Sequence, residues 1–414
     1  MKILLIHIYF TKKYSSGINP IVFNTYETLR KQGHEVYVFA LDEKPYYDED
    51  YNYTKYFPKS NAFWHEDRTI LSDIKYFINS IYNIEAQRKL AKMLDEIQPD
   101  LVHIHSTWEL SYSILKPIRD RKIPIVHTEH DMALFCPAIF QVGKDFCTDC
   151  KGYNTIPCFL KKCVKGRFID SLYISFKAFI ERLLGVQRNI DKYLTVSQAS
   201  KNHMIKMGIG ENKITVLPNF ISDSLLNIAE PNYSNENYFL YAGGTLKGKG
   251  IYTLIEAVKI LPKEIEIHVA GICKHQDVIK QIKNNNLDNI KILGHLSKDQ
   301  MQEEYKNCIS VIMPSEWFET FGMINIEAAI YGKPSISSNI GGLPDVVEDG
   351  KTGLIFEPKN VEQLKECILK YWNNRDLAIE HGKAAREKTL KEYNEDLYFE
   401  KLIKIYEEVI NNAK

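Results

Sequence analysis

What this sequence has little of narrows it first. It carries no charge excess: 53 lysines and arginines face 53 aspartates and glutamates. No global field therefore selects a polyanionic partner, and nucleic acid is not expected. No stretch approaches the roughly 20 uninterrupted apolar residues that span a bilayer. The apolar start, Met1 to Phe10, is short, contains His7 and lacks a small-residue cleavage site, so it reads as a buried first strand rather than a leader. No Gly-x-Gly-x-x-Gly follows that strand, which argues against a nicotinamide-dependent oxidoreductase. The sole Asp-x-Asp, Asp48-Glu49-Asp50, lies in a Tyr-, Asn- and Lys-rich stretch without clear period (residues 42 to 82) and reads as an acidic surface loop within an insertion. Cysteine is sparse outside one segment. Five of the eight lie between Cys136 and Cys163. A cytoplasmic protein with reduced thiols is the simplest expectation.

What is present is a βα alternation, run through twice. Lys2 to Ile6, Glu35 to Ala40, Pro99 to Ser106, Ile123 to Asp131 and Asp191 to Ser197 read as short buried strands separated by helical patterns. The pattern restarts at Tyr238 and continues through Ile265 to Gly271, Ile290 to Gly294 and Cys308 to Met313. At 414 residues the chain is long enough for two domains of ordinary size. We divide it into an N-terminal domain (1–221), a linker (222–237), a C-terminal domain (238–389) and a final helix (390–414).

The chemistry-bearing stretch is Pro314 to Ala329, between a buried strand and a helix. A strand-to-helix loop sits at the carboxyl edge of a parallel sheet, where open α/β sheets bind ligands. Glu319 precedes the helix and Glu327 lies about two turns inside it, so both carboxylates can face one cleft. Between them, the amides of Phe321, Gly322 and Met323 form a helix start that attracts phosphate oxygens and sugar hydroxyls. The blander alternative is a dipole-favouring Glu319 and a solvated Glu327. Further upstream, Lys247-Gly-Lys249-Gly250 precedes a helix and suits a diphosphate; a solvated turn is its alternative.

Pro314-Ser-x3-Glu319-x-Phe-Gly322-x4-Glu327-Ala, then Gly332-Lys-Pro334, Gly341-Gly-Leu-Pro-Asp345 and Asp349-Gly-x2-Gly353, resembles the C-terminal signature of the retaining glycosyltransferase family 4 (GT4), also called glycosyl transferases group 1. The resemblance implies an α/β protein of the GT-B fold: two Rossmann-like, doubly wound parallel-sheet domains facing across a cleft. It implies a nucleotide-diphosphate sugar donor, UDP- or GDP-linked, and a saccharide or lipid-linked acceptor in cell-surface polysaccharide synthesis. Glu319 would hold donor-sugar hydroxyls and Glu327 the ribose. Lys249 and Lys247 would offset the departing diphosphate, with Gly250 allowing close approach, and no metal or other cofactor is required. Gly33-His-Glu-Val36 matches the family's second strand, and Gly17 keeps one glycine of its sugar-facing pair. His130 matches the family histidine that faces the donor from the first domain, with His105 and Asp131 as supporting residues. Gly244 stands where the family usually has Arg, and Asp345 where it usually has Glu. A sugar-nucleotide epimerase of the same fold and a non-catalytic nucleotide-sugar-binding protein are the competing readings.

Two further features belong to the N-terminal half. Cys147-x2-Cys150 followed by Cys158 and Cys163 has the spacing of a structural four-thiolate zinc site, with Cys136 as alternate ligand; free thiols or an iron–sulfur site are the other readings. Residues 159 to 185 interleave Lys161, Lys162, Lys165, Arg167, Lys177 and Arg182 with aromatics. They read either as a helix packed on its own domain or as a peripheral contact with the inner face of a membrane.

Overall fold

The computed structural model describes residues 1–10, 18–42, 51, 53–59, 70–139, 147–164, 166–227, 229–233, 238–244, 247–271 and 276–413. Among the described residues, twelve strands form two six-stranded sheets, every pairing between them parallel. The first contains β1 (Lys2–Ile6), β2 (Glu35–Phe39), β3 (Leu101–Ile104), β4 (Ile125–Glu129), β5 (Lys192–Thr195) and β6 (Ile214–Val216), in the order β2-β1-β3-β4-β5-β6. The second contains β7 (Tyr238–Ala242), β8 (Glu266–Ala270), β9 (Ile290–Gly294), β10 (Val311–Met313), β11 (Ser335–Ser338) and β12 (Gly353–Phe356), in the order β12-β11-β10-β7-β8-β9. In each sheet the strand order reverses beside the first strand of that half. Crossover helices diverge there and leave a crevice at the carboxyl ends. β3 and β4 are buried along their whole length, as expected for strands covered on both faces.

The two sheets rest on separate apolar clusters, one around Leu5, Val38 and Leu194, the other around Phe239, Ile267 and Ile336. The last helix, Glu395–Ala413, places Tyr398, Phe399, Leu402 and Tyr406 in the first cluster. Its entry is pinned where Ile221 N donates to Tyr393 O and Asp223 N donates to the Glu395 carboxylate.

Some local expectations change. Residues 42 to 82 are not devoid of regular structure: a helix runs Ile70–Ile81, where apolar residues recur at 70, 74, 77, 78 and 81. That is helical spacing, obscured in the sequence by the aperiodic residues before it. The Asp48-Glu49-Asp50 run lies outside the described residues. Within the expected linker, Asp223–Leu226 is a short helix.

Candidate active site

The carboxyl edges of the two sheets meet. Thr320 Oγ1 donates to His130 O at 2.6 Å. Asp345 Oδ2 accepts from the amides of Gln198 and Ala199 at 2.7 and 3.2 Å. That contact places the acid at the start of the helix Gln198–Lys206, where it satisfies orphan donors and favours the helix dipole. Phe318, carried by the second half, packs in the first half's core beside the His203 ring.

At the β7/β10 crevice, the loop after β10 carries Glu319. Its Oε1 accepts three donors: Lys249 Nζ at 2.6 Å, Trp317 Nε1 at 2.6 Å and Ser315 Oγ at 2.7 Å. The Lys249 ammonium also lies 4.8 Å from the centre of the Trp317 ring. Two glycine turns allow this packing. A Cβ on Gly250, whose φ is +76°, would stand 1.7 Å from Pro314 O. One on Gly341, φ +58°, would stand 2.1 Å from Glu319 O. Gly342 N donates to that same carbonyl at 2.7 Å, so the backbone of Glu319 is held from the next turn.

The helix Met323–Ile330 begins behind Gly322, which is left-handed at φ +100°. Glu327 therefore lies one turn into the helix, not two. The left-handed glycine keeps Phe321 outside the first turn, and Phe321 is buried edge-on against Tyr393. Glu327 Oε2 accepts from Tyr305 OH at 2.9 Å, and loss of solvent raises its carboxyl above the usual range. Met323 packs against the cores of both halves. The structure thus joins Lys249 to Glu319, while Glu327 keeps a separate set of partners one turn away. Lys247 begins a 3₁₀ turn, Lys247–Lys249. Gly17 lies outside the described residues. Where the family usually has Arg, Gly244 offers its carbonyl to Tyr241 OH at 2.9 Å.

Facing this loop is a layer of buried imidazoles. His130 Nε2 lies 3.0 Å from His105 Nδ1. His103 bridges Tyr406 OH and Thr128 Oγ1, each at 2.6 Å, and His7 Nε2 meets Asn19 Oδ1 at 2.6 Å. Burial disfavours the charged form, so His7 and His127 fall to about 4 and His130 to about 3. They are neutral donors and acceptors at physiological pH. Beside them is a pocket lined by His105, Trp108, His127, Glu129, Asp131 and Lys177. Among the described residues, His105 Nε2, His127 Nδ1 and Glu129 Oε2 are buried without a hydrogen-bond partner, the last two facing each other at 3.9 Å. Three orphaned polar atoms beside one pocket suit a ligand rich in hydroxyls, which can donate and accept at once. Burial and the Asp131 charge raise Glu129, favouring its protonated form. Asp131 itself is exposed and accepts from Ala133 N at 3.0 Å.

Sequence reasoning missed Ser315 and Trp317, although they stand four and two residues before Glu319, the spacing that puts side chains on one side of an extended loop. Tyr305 and Thr320 carried no such signal. The cysteines also regroup. Cys136, Cys150, Cys158 and Cys163 share one small apolar cluster; Cys136 and Cys147 both pack on the main core, and the Cys147 thiol meets Asp149 while interacting electrostatically with Cys150 and Cys163. Among the described residues, no three His, Cys, Asp or Glu side chains are arranged to hold a metal ion.

The chain matches two family models: glycosyltransferase family 4 over residues 15–225 and glycosyl transferases group 1 over residues 226–388. It is 30% identical over 258 residues to an uncharacterized glycosyltransferase of Methanocaldococcus jannaschii, a match covering 60% of this chain and 65% of that protein. It is 26% identical to the capsular polysaccharide biosynthesis glycosyltransferase CapM of Staphylococcus aureus, over 54% of this chain and 60% of the other. Among solved structures, sucrose-phosphate synthase from Thermosynechococcus elongatus aligns at a TM-score of 0.74 with 18% identity, covering 99% of both chains. Anabaena HepE, solved with UDP and glucose, aligns at 0.68 with 16% identity, covering 99% of this chain and 100% of that one.

Proposed function

Because the chain belongs to glycosyltransferase family 4 and has the GT-B fold, we propose that it is a retaining transferase moving a sugar from a nucleotide-diphosphate donor to a saccharide or lipid-linked acceptor in cell-surface polysaccharide synthesis. The observation that carries this reading is the Lys249–Glu319 pair in the β7/β10 crevice, opposite His130.

The residues divide the work as follows. Without donor, Glu319 neutralises Lys249. A bound diphosphate attracts the ammonium, and the vacated carboxylate then accepts sugar hydroxyls while Ser315 and Trp317 hold it in place. The amides of Gly322 and Met323, at a helix start, add donors for the departing phosphate. Glu327, kept in position by Tyr305, takes the ribose hydroxyls. His130, neutral and held by His105, offers a hydrogen bond to the donor sugar without placing a cation beside the developing oxocarbenium charge. The pocket with its three orphaned atoms receives acceptor hydroxyls. Closure of the two halves excludes water, which competes as acceptor. UDP is the donor nucleotide we favour, in keeping with the ligand of the Anabaena neighbour.

The test is thermal stabilisation by UDP-, GDP-, ADP- and dTDP-sugars, repeated with Lys249→Ala and Glu327→Ala. We expect a selective upward shift with a UDP-sugar that both substitutions abolish. If no nucleotide sugar shifts the folded protein, the transferase reading falls. If the donor binds but no sugar is ever transferred, Gly244 in place of the usual Arg marks a binding protein.

A further inference from the structure

The helix Phe168–Leu183 is amphipathic the wrong way round for a surface helix. Its buried residues include Ser171, Ser175, Lys177, Glu181 and Arg182. Its exposed ones are Phe168, Ile169, Leu172, Phe176 and Leu183, with Ile169 77% exposed. The polar face is held inward by bonds to the cysteine-bearing segment and its surroundings. Ser175 Oγ donates to Thr155 O, Arg182 donates to Gly152 O and Phe135 O, and Lys177 pairs with Glu181. Lys177 and Glu181 also line the orphan-bearing pocket. One side of the helix is thus a wall of that pocket, and the other is bare hydrocarbon.

The apolar face extends beyond the helix. Phe159 packs on Phe168 with ring centres 4.4 Å apart, bringing in the short helix Ile156–Leu160 and its exposed Ile156 and Leu160. On the other flank Phe77 packs on Tyr173 at 4.6 Å, adding exposed Phe77 and Ile78. Most of the large hydrophobic side chains exposed among the described residues belong to this one face. Contiguous patches of this kind mark interaction surfaces, whereas single exposed apolar residues mean nothing. The local charge is one-sided too. Between residues 149 and 188 there are eight lysines and arginines against Asp149, Asp170 and Glu181, in a chain whose total charge balances; Lys161 pairs with Asp149 and Arg167 lies 3.8 Å from Asp170, both at the surface. Lys161, Lys162 and Arg167 are exposed at the start of the apolar stripe.

We propose that this face docks on an anionic lipid surface: Ile169, Leu172 and Phe176 enter the acyl boundary, and Lys161, Lys162 and Arg167 meet the headgroups. An apolar stripe rimmed by cations complements a membrane interface. A second copy of the same patch would bring like charges together. Because the reverse side of the helix lines the acceptor pocket, docking positions that pocket next to the bilayer, which selects a lipid-linked acceptor. That last step rests on the transferase reading; the docking does not.

The test is partition of the full-length protein onto phosphatidylglycerol-containing vesicles against phosphatidylcholine alone, by co-sedimentation. Binding is expected only to the anionic vesicles and to weaken with salt. Leu172→Ser/Phe176→Ser is expected to lower the partition coefficient by about tenfold or more. Lys161→Gln/Lys162→Gln is expected to lower it about fivefold per charge and to flatten the salt dependence. Each sample is checked in parallel for its melting shift with nucleotide sugar. Absent partition with an intact shift overturns docking alone; partition with no shift in any sample overturns the transferase reading alone. Concentration-dependent dimers abolished by the Leu172/Phe176 double substitution would assign the face to a second copy instead.

Discussion

At the scale of single residues, the carboxylate of Glu319 gathers three donors on one of its oxygens, which is why the proposed chemistry is centred on it. On the proposed reading, removing the ammonium leaves the departing diphosphate without its nearest cation. Lys249→Met should lower kcat/KM by about 10²–10³-fold, the cost of deleting one preorganised charge-stabilising donor. Steady-state transfer assays with the identified donor check this, and an unchanged value would remove Lys249 from the leaving group. The buried imidazoles predict a pH dependence of stability. Their folded pKa values of about 4 for His7 and His127 and about 3 for His130 lie below the unfolded value of 6.5. The unfolded chain therefore binds protons that the native state refuses. Their contribution is full above about pH 6.5 and is lost as pH falls from there toward about 4 for His7 and His127 and about 3 for His130. For His127 the full shift corresponds to about 3 kcal/mol. The melting temperature should drop steadily between about pH 7 and 5, and less steeply in His127→Gln.

At the scale of elements, the site depends on turns that admit no side chain. Gly250→Ala would drive a methyl group into Pro314 O while forcing a left-handed backbone, and should cost about 3 kcal/mol in denaturant unfolding. An unchanged midpoint would mean the two loops are not packed as described. The cysteine segment allows a second check. Burial pushes Cys158 far up and Cys150 up to about 11, so both remain thiols at neutral pH. A maleimide reagent should modify the half-buried Cys147 and Cys163 of the native protein well before those two. Peptide mapping after timed labelling reads the order directly, and early modification of Cys158 would contradict its burial.

At the scale of the whole molecule, the two halves are tied by side chains far apart in sequence. Tyr406, on the last helix, is fully buried and bonded to His103 on β3. Tyr406→Phe should cost about 1–2 kcal/mol by leaving that imidazole nitrogen unpartnered, and Tyr406→Ala about 4 kcal/mol by adding a cavity. Urea unfolding of both variants checks this; an unchanged Tyr406→Phe would show that packing alone matters there. Because the same helix closes the first core, its substitutions should lower overall stability without altering donor selectivity.

By itself, the sequence determined the two-sheet α/β architecture, since buried parallel strands alternating with helices leave few other arrangements. The stretches Pro314 to Ala329 and Lys247 to Gly250 were legible as candidate motifs, because spacing within a loop is written in the chain; that Lys249 meets Glu319 was not. Helix ends depend on local signals, as at Ser197, whose hydroxyl accepts from Ser200 N at 3.1 Å. Tertiary structure alone decided which distant groups meet. It joined Tyr305 to Glu327, Thr320 to His130 and the half-buried Cys136 and Cys163 to the buried Cys150 and Cys158. It also turned the 168–183 helix so that hydrocarbon faces outward. The physical reason is the same in each case. Local propensity acts over one or two turns of chain, whereas a buried polar group accepts whichever partner the packed halves bring within hydrogen-bond distance.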